Sequence, residues 1–209
     1  MQQHLTLITL ADLDTGGYGA DDPRVSMANS IRHGDAVFAA LRPDALTKPT
    51  PCPDYDTRAM AGHLVAVVRR FAAIAEGVAW EDTPLVVDGI ADDAWVTEWQ
   101  AATNQLRRVF SDESRMDQVL RLPFGDVPAP IAMSIYATEV LTHTWDLSTG
   151  LGVAVDWDNS LAEELLPGIQ MGLPDEGREL VEMPFSPVVP TASDAPAIER
   201  LVAWMGRQP

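Results

Sequence analysis

Four stretches of this chain carry apolar residues at the three- and four-residue intervals of an amphipathic helix, while strand-like alternation is scarce. The first runs from about Pro23 to Leu41. Val25, Ala28, Ile31, Val37 and Phe38 line its apolar face, and Gly34 weakens its middle. The second starts at Asp56 or Thr57, both good caps, and carries Met60, Leu64, Val67, Phe71 and Ile74 towards a terminator at Gly77. The third, from about Asp92 to Phe110, presents Trp95, Trp99, Ala102, Leu106, Val109 and Phe110 as one stripe. The fourth runs from about Ala129 to Thr149 and stops at Gly150. Helices of this kind bury their stripes against one another, so the expected fold is an all-α four-helix bundle.

The connections qualify that picture. The segment from Thr47 to Asp54 holds three prolines and must be extended and stiff. A loop of about a dozen residues containing Leu85, Val86 and Val87 follows the second helix, so its neighbours are not simple hairpins. Pro123 to Pro128 reads as a turn. Ser160 to Met171 suits a shorter helix limited by Pro167, and Pro184 to Pro190 reads as a surface crossing. Ser193 or Asp194 is placed to cap a last short helix that reaches about Trp204 and ends at Gly206. Residues 1–23 stand apart as an N-terminal extension, either a short strand over Leu5 to Leu10 or a flexible tail, followed by turn chemistry at Gly16-Gly17 and Asp21-Asp22-Pro23. The expected organisation is this extension followed by one helical domain with a C-terminal tail over residues 24–209.

Thirty-one acidic residues against 14 basic ones give a formal net charge of -17. Such a surface repels phosphate backbones and anionic membranes, so neither nucleic acid nor a membrane is an expected partner. No apolar run approaches the roughly 20 residues of a membrane span. The run from Leu5 to Ala11 lacks a basic start and is followed by Asp12 and Asp14, so it does not read as a secretion signal. The single cysteine, Cys52, forms no intramolecular disulfide, which fits a reducing compartment. The expected location is the cytoplasm.

Glu139 and His143 carry the most specific chemistry. Four residues apart on the fourth helix, they share one face, and Ile135 and Leu147 continue that row. A carboxylate and an imidazole on a core-facing row need partners, because an unpaired buried charge is costly. A divalent cation satisfies both, and His63, on the apolar face of the second helix, is placed to be a third ligand. Three ligands leave coordination positions open, as catalytic or substrate-binding sites require. The alternative is a hydrogen-bonded Glu–His pair with a purely structural role. Asp146, three residues after His143, can accept the second imidazole N–H and orient the ring, or lie on the helix surface. Cys52 is either a reactive thiol or a packed side chain. His4 and His33 have no supporting pattern. There is no nucleotide-binding glycine motif, no Gly-x-Ser-x-Gly and no Cys-x-x-Cys.

Several motifs together resemble a known family. Thr50-Pro51-Cys52-Pro53-Asp54-Tyr55-Asp56-Thr57-Arg58, running into Gly62-His63-Leu64, is similar to the loop and second helix of the DinB-like metalloproteins of actinobacteria. The likeness is to those related to mycothiol-dependent maleylpyruvate isomerase. Leu122 to Pro128 resembles the segment before their metal-bearing helix. Thr138-Glu139 and His143 through Leu147, with Thr149-Gly150, resemble that helix. The tail Pro187 to Pro190, Asp194-Ala195-Pro196 and Arg200-Leu201 is similar to the single-domain branch. The resemblance covers about residues 24–209 and implies a DinB-like four-helix bundle with a short C-terminal helix. Its metal ligands fall on His63, Glu139 and His143. It further implies a divalent metal and mycothiol as a cosubstrate; a His/His/Glu set suits zinc, nickel, iron or manganese, and zinc or nickel is the expected ion. The isomerase proper carries a further C-terminal domain that this chain has no room for, so maleylpyruvate isomerisation itself is not the expected reaction.

The functional expectation is a metal- and thiol-dependent transferase or isomerase-like enzyme acting on a small electrophile. The alternative is a non-catalytic metal- or ligand-binding stress-response protein of the same fold. The expected partners are a small-molecule thiol and an electrophile, and a homodimer is compatible with the sequence. The pattern singles out no residue for a catalytic role beyond the metal ligands.

Overall fold

A computed structural model describes residues 18–176, 178 and 186–209. The strand-or-tail reading of Leu5 to Leu10, the Gly16-Gly17 turn and the Pro184-Phe185 part of the surface crossing lie outside the described residues.

Helix α1, Pro23–Ala39, begins where Asp22 caps it through a hydrogen bond from the Arg24 N–H and Pro23 opens its first turn. Helix α2, Thr57–Ala75, is capped by Asp56, whose side chain accepts from the Ala59 N–H at 2.9 Å. Helix α3 is Trp95–Phe110. It starts later than the expected Asp92, because Ala91 to Ala94 close a turn first. Helix α4, Ala129–Leu151, outlasts the expected stop at Gly150. Its terminator is Gly152, in the left-handed region at φ 72°. Helix α5 spans Asn159–Gly172 with Pro167 inside it. Helix α6, Ala197–Trp204, starts behind Pro196, so neither Ser193 nor Asp194 is its cap. The rigid φ of Pro196 sets its first turn instead.

The expected turn at Pro123 to Pro128 is the tip and second arm of a β-hairpin. Strands β1, Val119–Leu122, and β2, Gly125–Pro128, pair antiparallel from Leu122 opposite Gly125 to Val119 opposite Pro128. Leu120 and Leu122 point inward while Val119 and Arg121 face out, a period of two in a stretch too short to stand out in the sequence.

The four long helices form the bundle. Helix α1 packs along α4, α2 packs on both α3 and α4, and α3 closes the ring against α1. Helices α5 and α6 pack on each other and against α4. The whole predicted stripe of α3 is buried. Trp99 stacks on Phe38 of α1 at 4.6 Å, and its indole N–H donates to Asp35 at 2.7 Å. At the far side Phe71 of α2 stacks on Tyr136 of α4 at 4.3 Å. That contact and the meeting of His63 with His143 fix α2 and α4 as antiparallel neighbours, since rising numbers on one pair with falling numbers on the other.

Candidate metal centre

Helices α2 and α4 bring His63, Glu139 and His143 together. Their potential ligand atoms all lie within 4.8 Å of one another. The two imidazole rings meet edge to face, 4.7 Å between centroids at 86°. His63 Nε2 stands 3.8 Å from Glu139 Oε1. Both histidines are buried, whereas the Glu139 side chain keeps 31% of its surface exposed, so the cluster opens towards solvent on the carboxylate side.

The far side of each ring is committed. His63 Nδ1 lies 2.7 Å from the Leu85 carbonyl oxygen, which only accepts, so Nδ1 carries the proton and Nε2 presents a lone pair. His143 Nδ1 lies 3.0 Å from Asp146 Oδ2, so Nδ1 carries a proton there too, and the neutral ring presents Nε2 as the acceptor. Two bare Nε2 atoms and a carboxylate thus converge as acceptors. A divalent cation fits that donor set, since imidazole nitrogen and carboxylate oxygen suit the borderline ions. Burial pushes the His63 imidazole down to about 3, so it stays neutral and able to ligate at neutral pH. Burial pushes the Glu139 carboxyl up, against the pull of Arg70 and of His143 when that ring carries a charge.

The loop after α2 holds His63. The Val87 N–H donates to the Gly62 carbonyl at 3.1 Å, and a Cβ on Gly62 would lie 2.6 Å from the Val87 oxygen, so only glycine admits the strap this close. Two residues earlier Leu85 fixes His63. Two before that Thr83 accepts from Arg70 Nε at 2.7 Å through its hydroxyl and from Nη2 at 3.2 Å through its carbonyl. Tyr55, from the proline-rich loop before α2, stacks on the other face of the site with its ring 4.9 Å from that of His63.

Asp146 is completely buried and serves two partners. It accepts from His143 and, at 3.0 to 3.2 Å, from both Nε and Nη2 of Arg207. Burial alone would raise its carboxyl, but His143 and Arg207 together hold it below the usual range. Cys52 is a packed side chain, buried, its thiol pushed up by that burial, and not a ready nucleophile. His33 lies away from the ligand set. Its Nε2 accepts from the Asp158 N–H at 3.3 Å.

Arg207, Leu85 and Tyr55 escaped the sequence reading. The first follows a helix-ending glycine, and sequence says nothing of which way such a residue turns. The Leu85 contribution is a backbone carbonyl, which has no sequence signature.

A helical bundle with a His/His/Glu cluster between two antiparallel helices defines the class: a mostly helical bundle with a cluster that could hold a metal ion. The family described as mycothiol maleylpyruvate isomerase N-terminal domain matches residues 27–148, and the chain belongs to it. The match takes in all three cluster residues and Asp146 and stops short of Arg207. An uncharacterized protein of Mycobacterium tuberculosis, found in two strains, is 28% identical over 172 residues, 82% of this chain and 90% of the relative. No solved structure gives a significant match.

Proposed function

We propose that this protein binds one divalent ion, zinc or nickel, through His63, Glu139 and His143 and uses it to bring a small-molecule thiol to an electrophile. On this reading it is a transferase or isomerase-like enzyme, and mycothiol, named in the family's description, is the thiol expected. The observation that carries the proposal is the acceptor-only cluster: both Nδ1 protons are used elsewhere, leaving two lone pairs and a carboxylate facing one another. A divalent ion there would supply Lewis acidity, favouring thiolate over thiol at neutral pH. The chain's own part is to present three fixed ligands, to wall the site with the Tyr55 ring and to leave the Glu139 side open for the ligand's approach.

The test is spectroscopic. Cobalt-loaded protein titrated with mycothiol, or with a simpler thiol at high concentration, should gain a near-ultraviolet charge-transfer band. His143→Ala should abolish it. A metal-loaded protein that answers no thiol sinks the thiol reading and leaves activation of water.

One observation favours a non-catalytic binding protein, perceiving stress rather than turning over substrate. The Tyr55 and Tyr136 phenols flanking the cluster and the Cys52 thiol are all pushed up by burial, so none offers a base at neutral pH. Metal and thiol binding with no turnover of a chromogenic chloronitrobenzene or other soft electrophile would select this reading.

A further inference from the structure

The metal ligand His143 is tied to the C-terminal end of the chain, outside the segment that the family match covers. Helix α6 ends in a paired closure: the Gly206 N–H donates to the Ala203 carbonyl at 3.0 Å and the Arg207 N–H to the Val202 carbonyl at 2.9 Å. Gly206 has φ 82°, and a Cβ there would meet the backbone oxygen of Ser186 at 2.8 Å. This turn sends the Arg207 side chain inward, where only 5% of the residue remains exposed. Its Nη1 donates to the Met205 carbonyl at 2.8 Å, which fixes the guanidinium plane. Nε and Nη2 then form a fork on Asp146, and Asp146 Oδ2 accepts a hydrogen bond from the Nδ1–H of His143.

We propose that Arg207 is a positioning residue of the metal centre: through Asp146 it sets the ring orientation and the tautomer of His143, so that the C-terminal segment completes a site whose ligands all come from α2 and α4. This rests on the metal-binding reading above. The chemistry favours arginine specifically. Its planar fork meets a carboxylate edge-on with two parallel hydrogen bonds, and the carboxylate oxygen shared with His143 is thereby held in one place. A lysine carries the charge but not the fork. Such outer partners of a ligating imidazole commonly govern affinity as well as geometry.

A purely structural role for this buried pair would also lower stability when broken, so the test separates the two. Arg178 is the matched control. It is equally buried, comes from the same end of the chain, and donates to the carbonyls of Leu173, Pro174, Ser186 and Trp204 with no contact to the cluster. Zinc affinity of the full chain is measured by chelator competition for the unaltered protein, Arg207→Met, Arg207→Lys and Arg178→Met. Thermal melts and the His143 imidazole nitrogen resonances of the metal-free proteins are recorded alongside. Arg207→Met should weaken zinc binding on the order of 10- to 100-fold, Arg207→Lys should fall between it and the unaltered protein, and Arg178→Met should lose melting temperature without losing affinity. The protonated Nδ1 of His143 should be a single sharp signal in the unaltered protein and should broaden or move in both Arg207 variants.

A folded Arg207→Met with unaltered affinity and an unaltered His143 signal overturns the proposal. If that variant does not fold, Arg207→Lys decides: an affinity and signal matching the unaltered protein overturn it. If the unaltered protein binds no zinc or nickel, the metal reading falls, and the His143 signal alone still decides whether Arg207 holds the ring.

Discussion

His63 on α2 and Glu139 on α4 approach to 3.8 Å between Nε2 and Oε1, and the imidazole has no proton to offer the carboxylate. Its proton sits on the other nitrogen, donated to Leu85, and burial keeps the ring neutral down to about pH 3. An acceptor therefore faces an acceptor at the centre of the site. Without a cation this arrangement works against stability, and with one it becomes a ligand set.

Glu139→Gln should reveal that opposition. The amide supplies the donor that His63 Nε2 lacks, and the half-buried charge is gone. In chelator, the variant should melt about 2–4 °C higher than the unaltered protein, the equivalent of roughly 1 kcal/mol for one hydrogen bond gained. Added zinc should raise the melting temperature of the unaltered protein and leave the variant nearly unmoved. Calorimetry in both conditions measures it, and a variant that melts lower in chelator speaks against the acceptor cluster.

His33 should make stability fall with acid. Burial, then Arg32, hold its imidazole below the ordinary value, against the opposing pull of Asp158 and Asp156. Its Nε2 accepts from the Asp158 N–H at the start of α5, and its ring lies 5.1 Å from that of Trp157. With a folded value below the unfolded one of about 6.5, the unfolded chain takes the proton first. The contribution is therefore whole above about pH 6.5 and is lost as the pH falls towards the folded value. His63 acts in the same direction. His33→Gln keeps an acceptor for Asp158 and does not titrate, so its melting temperature, followed in chelator from about pH 7.5 to pH 5, should decline less steeply.

The bundle was legible because each long helix declares its buried face. Met60, Leu64, Val67 and Phe71 on α2, and the tryptophans of α3, all lie where their spacing puts them. His63, Glu139 and His143 were legible for the same reason: residue type and helix phase suffice to bring them to the shared side of α2 and α4. Elements set by contacts distant in sequence were not. The hairpin of Val119 to Pro128 has only Leu120 and Leu122 to mark its inner face, and its pairing is a matter of backbone hydrogen bonds. The end of α4 turned on which of two glycines takes the left-handed conformation, Gly150 or Gly152, and packing decides that. Arg207 reaches Asp146 from 61 positions away, a distance that no local pattern encodes.

Gly34, which weakens α1 as a sequence, is where α1 admits α3. A Cβ at this position would press into the six-membered ring of Trp99. Gly34→Ala gains helix propensity of somewhat under 1 kcal/mol but forces the stacked Trp99 and Phe38 apart, at a cost of about 1–3 kcal/mol. The net result should be a lower denaturation midpoint and a shifted tryptophan emission. A more stable variant would mean that the α1–α3 contact yields easily.

Metal titration tests the central claim most directly. Protein stripped with chelator and titrated calorimetrically with zinc, and separately with nickel, should bind one equivalent, with His63→Ala and His143→Ala each losing most of the binding while keeping their helical circular dichroism. Failure of the unaltered protein to bind either ion, or near-stoichiometric binding in His143→Ala, would contradict the assignment of His63, Glu139 and His143 as one metal centre.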